Sequence, residues 1–187
     1  TGPHAVTVPG TAGGWEATIE AHGRLDLGTV LQPAISYAME GFPVSEVVSA
    51  QWEQAEDLFT DPHAREAYLF DGAAPDTGQT VSLPKLGHSL ELVAEKGADV
   101  VYEGELAAAI VEEVRSHGGL LDHEDLAAHE ASFVDPISTT YQGVDVFELP
   151  PTNQGLVALE ALNVAEALDV GSYRFGSPTY THYLVEA

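Results

Sequence analysis

His117, His123 and His129 recur every six residues, and imidazoles at regular intervals are the raw material of a metal site. This interval works against one. Residues six apart stand far round a helix from each other, and Gly118-Gly119 interrupts the segment. His123-Glu124 opens like a zinc-protease signature, but its second histidine would fall at position 127, which is Ala127. The expectation is histidines that face solvent or end helices, with no metal and no organic cofactor.

Nucleophilic chemistry is narrowed by the absence of cysteine, which leaves Ser, Thr or a carboxylate to attack. Ser89 lies in Gly87-His88-Ser89-Leu90-Glu91, which lacks the second glycine of a nucleophile elbow and sits inside a helical pattern. Thr11-Ala12-Gly13-Gly14 is too short for a phosphate-binding loop, and no Lys-Ser/Thr follows it. Carboxylates are so numerous that no pair stands out, and a solvated acidic surface is expected of them.

The elements that would carry these residues can be read from periodicity. Ala5 to Val8 reads as a short strand stopped by Pro9-Gly10, and Thr11 is placed to cap a helix running to His22-Gly23. Helices follow over about 28–40, with Leu31, Ile35 and Met39 on one face, and about 45–58, with Val48, Trp52, Ala55 and Phe59 inward. Residues 61–84 read as a long connection holding at most a helical turn near 64–70. Pro84 opens a helix with Leu86, Leu90 and Val93 inward, and Gly97 closes it. Another spans Glu105 to His117, and a short one starts from Asp122 as its cap. Residues 132–140 are extended. Then Val144, Val146 and Leu149 make a strand that Pro150 and Pro151, having no amide hydrogen, must end. Thr152 and Asn153 are suited to cap the next helix, for which Gly171 is the expected stop. A last helix begins after Ser177-Pro178. The inventory is helix-dominant with two or three strands, an α+β class. No repeat, linker or internal boundary is visible, so 1–187 is expected to be a single partial domain.

Charge is the largest departure from ordinary composition. Thirty acidic residues oppose six basic ones, for a net charge of −24. The acids run from Glu16 to Glu186, so this is no acidic tail. Such a surface makes nucleic acid and an anionic membrane poor partners, and neither is expected. No apolar run is long enough to span a bilayer and no signal peptide is recognisable. Self-repulsion of this size destabilises a compact fold in dilute buffer and is screened at molar salt, which predicts a halophilic source. A salt-filled cytoplasm is favoured over secretion into brine, although both select the same acidic bias.

The string Leu149-Pro-Pro-Thr-Asn-Gln-Gly155 after Tyr141-Gln-Gly-Val resembles the γ-glutamyltransferase (γ-glutamyltranspeptidase) family. Other matches follow the family's order: Ala5-Val-Thr-Val-Pro9-Gly10-Thr-Ala-Gly-Gly-Trp15, Leu31-Gln-Pro-Ala34 with Gly41-Phe42, Tyr102-Glu-Gly104, Gly118-Gly-Leu120 and Glu124-Asp-Leu-Ala127. Gln154-Gly155, where many members have serine and a double glycine, is more like the acylase branch. The resemblance implies part of an N-terminal-nucleophile hydrolase αββα sandwich, specifically the middle and later part of a large subunit. It implies a small subunit from the same precursor as partner and a γ-glutamyl amide such as glutathione as substrate. The residues it marks, Pro9, Gly10, Pro150, Pro151, Asn153 and Gly155, are structural. The family's nucleophile and oxyanion glycines belong beyond Ala187 and its carboxylate-binding arginine upstream of the Val-Pro-Gly strand. No catalytic residue is therefore carried over. Thr1 is N-terminal but is followed by Gly2-Pro3. Thr181-His182-Tyr183 looks like the sequence around the family nucleophile, yet its flanks fit a large-subunit helix better. Neither threonine is assigned the role. Two alternatives stand beside a transferase fragment: a related amidohydrolase with another amide substrate, and a catalytically silent scaffold.

Overall fold

In the computed structural model, which describes residues 2–187, the backbone gathers into two compact units, Thr1–Ala131 and Ser132–Ala187. The division falls at Ala131-Ser132, where the chain runs without helix or strand from 129 to 136. No glycine-rich or serine-rich linker marks it, because an extended segment needs none.

The first unit is built of helices α1 (Thr11–His22), α2 (Leu27–Glu40), α3 (Glu46–Ala55), α4 (Pro62–Tyr68), α5 (Pro84–Lys96), α6 (Asp99–Tyr102), α7 (Glu105–Ser116) and α8 (His123–Ala127). Two short strands, β1 (Phe42–Pro43) and β2 (Thr80–Val81), pair antiparallel with Phe42 opposite Val81. Side-chain oxygens set the helix starts, as orphan first-turn amides require. Asp26 accepts from Thr29 N at 2.8 Å, and Ser45 from Val48 N at 3.3 Å. Asp61 accepts from His63 N and Ala64 N at 2.8 and 3.0 Å. Asp122 and Asp125 form a reciprocal capping box.

The core of this unit lies where α2 meets α5. Leu31 and Ile35 of α2 close on Leu92 and Val93 of α5 and on Val100 of α6. A second cluster joins Ala107 and Val111 of α7 to Leu121 and Leu126, the last fully buried at 0% exposure. A third gathers Ala12, Ala98 and Tyr102. No polar or charged residue is buried among the described residues. The acidic side chains therefore keep their water, as an unpaired buried carboxylate would be costly.

Several expectations are corrected here. Ala5 to Val8 is not a strand. Pro3–Ala5 is a 3-10 turn, and no described residue pairs with the extended backbone after it; a strand needs a ladder partner. Thr11 lies inside α1, with Gly10 at its cap position and no capping side chain. Met39, Val48 and Leu86 are exposed. In α2 the small Ala38 takes the buried position, and in α5 Leu92 joins Val93 in the core beside half-buried Leu90. Inside the long connection α4 is a full helix, launched by the Asp61 cap and Pro62 at its first turn.

The second unit is a hairpin under a helix. Strands β3 (Ile137–Tyr141) and β4 (Val144–Glu148) pair antiparallel, with Tyr141 opposite Val144 and Ile137 opposite Glu148. Gln142 and Gly143 make the turn with φ of 48° and 78°. Positive φ at both central residues is the type I′ geometry that matches the twist of paired strands. Helix α9 (Gly155–Ala167) packs on the hairpin, tied by Thr139 Oγ1 to Asn163 Oδ1 and by Gln142 N donating to Glu166 Oε2 at 2.8 Å. Helix α10 (Pro178–Glu186) starts from Ser177, whose hydroxyl accepts from Tyr180 N at 3.2 Å. Gly171 does not stop α9. The helix ends at Ala167, Asp169 turns the chain at φ 49°, and Gly171 sits in the 3-10 turn Val170–Ser172. Aspartate tolerates the left-handed region well enough to serve as the reversal point.

Candidate functional site

The sequence singles out two turns, and each is held by specific contacts. At Pro9-Gly10, the Tyr102 hydroxyl reaches from α6 to the entry of α1. It donates to the Pro9 carbonyl at 2.8 Å and accepts from Gly13 N at 3.0 Å. That explains how α1 begins without a capping side chain: a phenol from a distant helix satisfies one of its first amides. The Tyr102 ring stacks on His129 with centroids 4.8 Å apart, and His129 covers Gly10, where an added Cβ would meet its Cε1 at 3.4 Å. His129 Nε2 is buried and has no hydrogen-bond partner.

At the second turn, Pro150 and Pro151 follow β4, and Asn153 N donates to the Pro150 carbonyl at 3.3 Å. Asn153 does not cap α9 as expected. Its Oδ1 accepts from Gly155 N at 3.1 Å, two residues on, and Gln154 occupies the cap position without a side-chain bond. Thr152 also stays in the turn. The side chain thus closes a local turn just ahead of the helix instead of reaching its first-turn amides. Gly155 is required by space. A Cβ there would stand 2.6 Å from Glu148 Cβ and 2.9 Å from the Leu149 carbonyl. Gly155→Ala is expected to destabilise the second unit by about 1–3 kcal/mol, the usual range for overpacking, read as a lowered urea midpoint of the chain.

The three evenly spaced histidines do not converge on one another. His123 opens α8, His129 stacks on Tyr102 and His117 ends α7, so the six-residue spacing gathers no ligands. Ser89 donates its hydroxyl to the Lys85 carbonyl at 3.1 Å within α5. Thr181 is inside α10 and its amide donates to the Ser177 carbonyl at 2.9 Å. Thr1 lies outside the described residues.

One cluster was not visible in the sequence. Asp61, Glu113 and His117 bring a carboxylate oxygen, a second carboxylate oxygen and a ring nitrogen within 4.8 Å of one another. His117 Nε2 is 3.2 Å from Asp61 Oδ2. Its Nδ1 is 3.0 Å from the Glu113 carbonyl and 3.6 Å from Glu113 Oε1. Hydrogen bonding to Glu113 and the charges of Glu113 and Asp61 hold the imidazole above its ordinary pKa. The two amides of α4 that Asp61 caps, led by Ala64, hold that carboxyl below its ordinary value, with the His117 charge adding to the effect. The cluster is the one group among the described residues that could hold a metal ion, but both ring nitrogens already face acceptors that a proton satisfies. Only the pairing across sequence between the start of α4 and the end of α7 creates it, and no local pattern signals that.

No helix among the described residues is long and apolar enough to cross a membrane. Residues 1–187 match the family model described as gamma-glutamyltranspeptidase. The chain is 39% identical over 184 residues to the glutathione hydrolase-like YwrD proenzyme of Bacillus subtilis (strain 168), a match covering 98% of this chain and 35% of that protein. Its fold superposes on the gamma-glutamyltranspeptidase of Helicobacter pylori with a TM-score of 0.89 at 26% identity, covering 99% of this chain and 54% of that one. It is also similar to the cephalosporin acylase of Bacillus halodurans, with a TM-score of 0.83 at 37% identity, covering 95% and 34%. The chain spans about a third of the length of such curated relatives. The helix-dominant α+β fold is part of an N-terminal-nucleophile hydrolase αββα sandwich. A match along its whole length, in sequence and in fold, places the chain in the gamma-glutamyltranspeptidase family.

Proposed function

We propose that this chain is the middle and later part of the large subunit of a γ-glutamyltransferase-like hydrolase, and that both compact units belong to one partial domain of that subunit. The observation that carries the reading is the order of the matched segments, from Pro9-Gly10 to Pro150-Pro151 and Gly155, along a chain that matches the family model throughout. The parent enzyme moves a γ-glutamyl group from glutathione-like amides to water or an amino acid. It does so through an ester on a threonine freed by autoprocessing, with the new α-amine as general base. In this reading the nucleophile comes from the small subunit, which is the partner. Pro9, Gly10, Pro150, Pro151, Asn153 and Gly155 shape turns and touch no substrate. No cofactor, nucleic acid or membrane takes part. The source is halophilic and the site of action cytoplasmic, with secretion into brine as the alternative.

The test is hydrolysis of a γ-glutamyl anilide in molar KCl by the full precursor and by this chain alone. Turnover by the precursor and none by the chain is expected. Turnover by the chain would overturn the exclusion of Thr1 and Thr181. A precursor that is inert towards every amide tried would favour the silent scaffold.

A second reading has its own support. The relative named a cephalosporin acylase is 37% identical to this chain, beside 39% for the glutathione hydrolase-like proenzyme, and Gln154-Gly155 is more like the acylase branch. A precursor that cleaves a glutaryl anilide, lacking the α-amino group, faster than the γ-glutamyl anilide would assign it to the acylases.

A further inference from the structure

We propose that His117 is a proton-operated clasp that fastens the start of helix α4 to the end of helix α7 and lets go as the solution becomes alkaline. The geometry needs a positive charge. A carbonyl can only accept, so the 3.0 Å contact with the Glu113 carbonyl fixes a proton on Nδ1. Nε2 then faces Asp61 Oδ2 at 3.2 Å. With Nε2 bare, two lone pairs would oppose each other; with Nε2 protonated, the contact is a charge-assisted hydrogen bond. The ionised ring thus bridges two elements that lie far apart in sequence.

Asp61 makes the bridge consequential because its two oxygens do different work. Oδ1 accepts from His63 N and Ala64 N and so caps α4, while Oδ2 meets the imidazole. Losing the imidazolium leaves the cap but frees it from α7. The groups around the ring are few. From α7 come Glu113 and the Ser116 hydroxyl, 3.1 Å from Nδ1. From the start of α4 comes Asp61, with His63 acting on it through space. The N-terminal turn lines the adjoining cleft, about 500 Å³ in volume, only with Gly2, Pro3 and Val6. Arg115, the nearest fixed cation on α7, is engaged with Asp122 at 3.2 Å.

The sign follows from linkage. His117 is raised above 6.5 in the folded chain. Its contribution is full below that value and is lost as pH rises through the folded pKa. Asp61 is lowered from 3.8, so its contribution is present above that value and is lost as pH falls through the folded pKa. The clasp is closed between the two and opens on both sides. This device is independent of the catalytic reading above, because it concerns two helices of this chain alone.

The experiment is a histidine-ring NMR titration of the folded chain beside amide hydrogen exchange of α4. In the native chain His117 should titrate above the ordinary histidine range, and Asp61→Asn should return it towards that range. Asparagine keeps a capping oxygen, so α4 survives while the charge goes. Protection factors at Arg65 and Leu69, whose amides close α4, should fall by more than about twofold between about pH 6 and about pH 8.5. In His117→Gln they should not change over that interval. A His117 that titrates in the ordinary range, or an α4 whose protection responds to pH equally in both proteins, would overturn the clasp. If His117→Gln fails to fold, the Asp61→Asn titration decides alone.

Discussion

A melting temperature that climbs by about 10 °C or more between 0.1 M and 1 M KCl is the expected behaviour of this chain, at roughly 2–4 °C per kcal/mol for a protein of this size. The net charge is −24, and the fold offers little to offset it. Lys85 pairs with Glu66 at 3.0 Å, Arg115 with Asp122 at 3.2 Å, and Lys96 with Glu105. All of these pairs are solvent-exposed, where screening and side-chain entropy leave an ion pair little net worth. The remaining carboxylates repel one another through water. The screening length falls from about 10 Å at 0.1 M to about 3 Å at 1 M, so the rise should be steep up to molar salt and shallow beyond it. A continued linear climb would instead indicate a general salting-out effect, and a flat profile would remove the case for a halophilic fold. Differential scanning calorimetry across a KCl series reads all three outcomes.

The largest single-residue effect is expected at Tyr102. Its ring is buried against Ala12 and Ala98 and stacked on His129, while its hydroxyl joins the Pro9 carbonyl to the Gly13 amide. Tyr102→Ala should cost about 3–5 kcal/mol, the range for removing a buried aromatic ring. Tyr102→Phe keeps the ring and deletes the oxygen, leaving a donor and an acceptor of the α1 entry unmet. That should cost about 1–3 kcal/mol. Urea unfolding in molar KCl measures both. Equal losses from the two substitutions would mean that the hydroxyl, not the packing, holds the turn; no loss from phenylalanine would mean that water replaces it.

The helices were legible because their signals are local. The Asp122 cap, the Ser45 start, and Gly97 closing the helix that Pro84 opens are each fixed by chemistry within one turn. The strand and double-proline stop at β4 were legible for the same reason. What escaped depends on distant partners. Tyr102 gives α1 its missing cap from a residue 89 positions away from Gly13, so Thr11 appeared to be the cap when it is not. The β1–β2 pairing joins Phe42 to Val81 across a whole connection. The Asp61–Glu113–His117 cluster exists only because two helix ends meet. Two local signals carry more than periodicity reads from them: Gln142-Gly143, a two-residue turn with both φ positive, and Asp61-Pro62, a capped helix start. Family membership was recoverable from the order of short strings along the chain.

The division at Ala131-Ser132 has a practical side. No lysine or arginine occurs between Arg115 and Arg174, so trypsin has no bond to cut anywhere near the junction. A tryptic digest would carry the end of the first unit and the hairpin and α9 of the second on one peptide and report them as inseparable. Glu130 borders the junction, and a glutamate-specific protease is therefore the reagent that can tell a hinge from a continuous body.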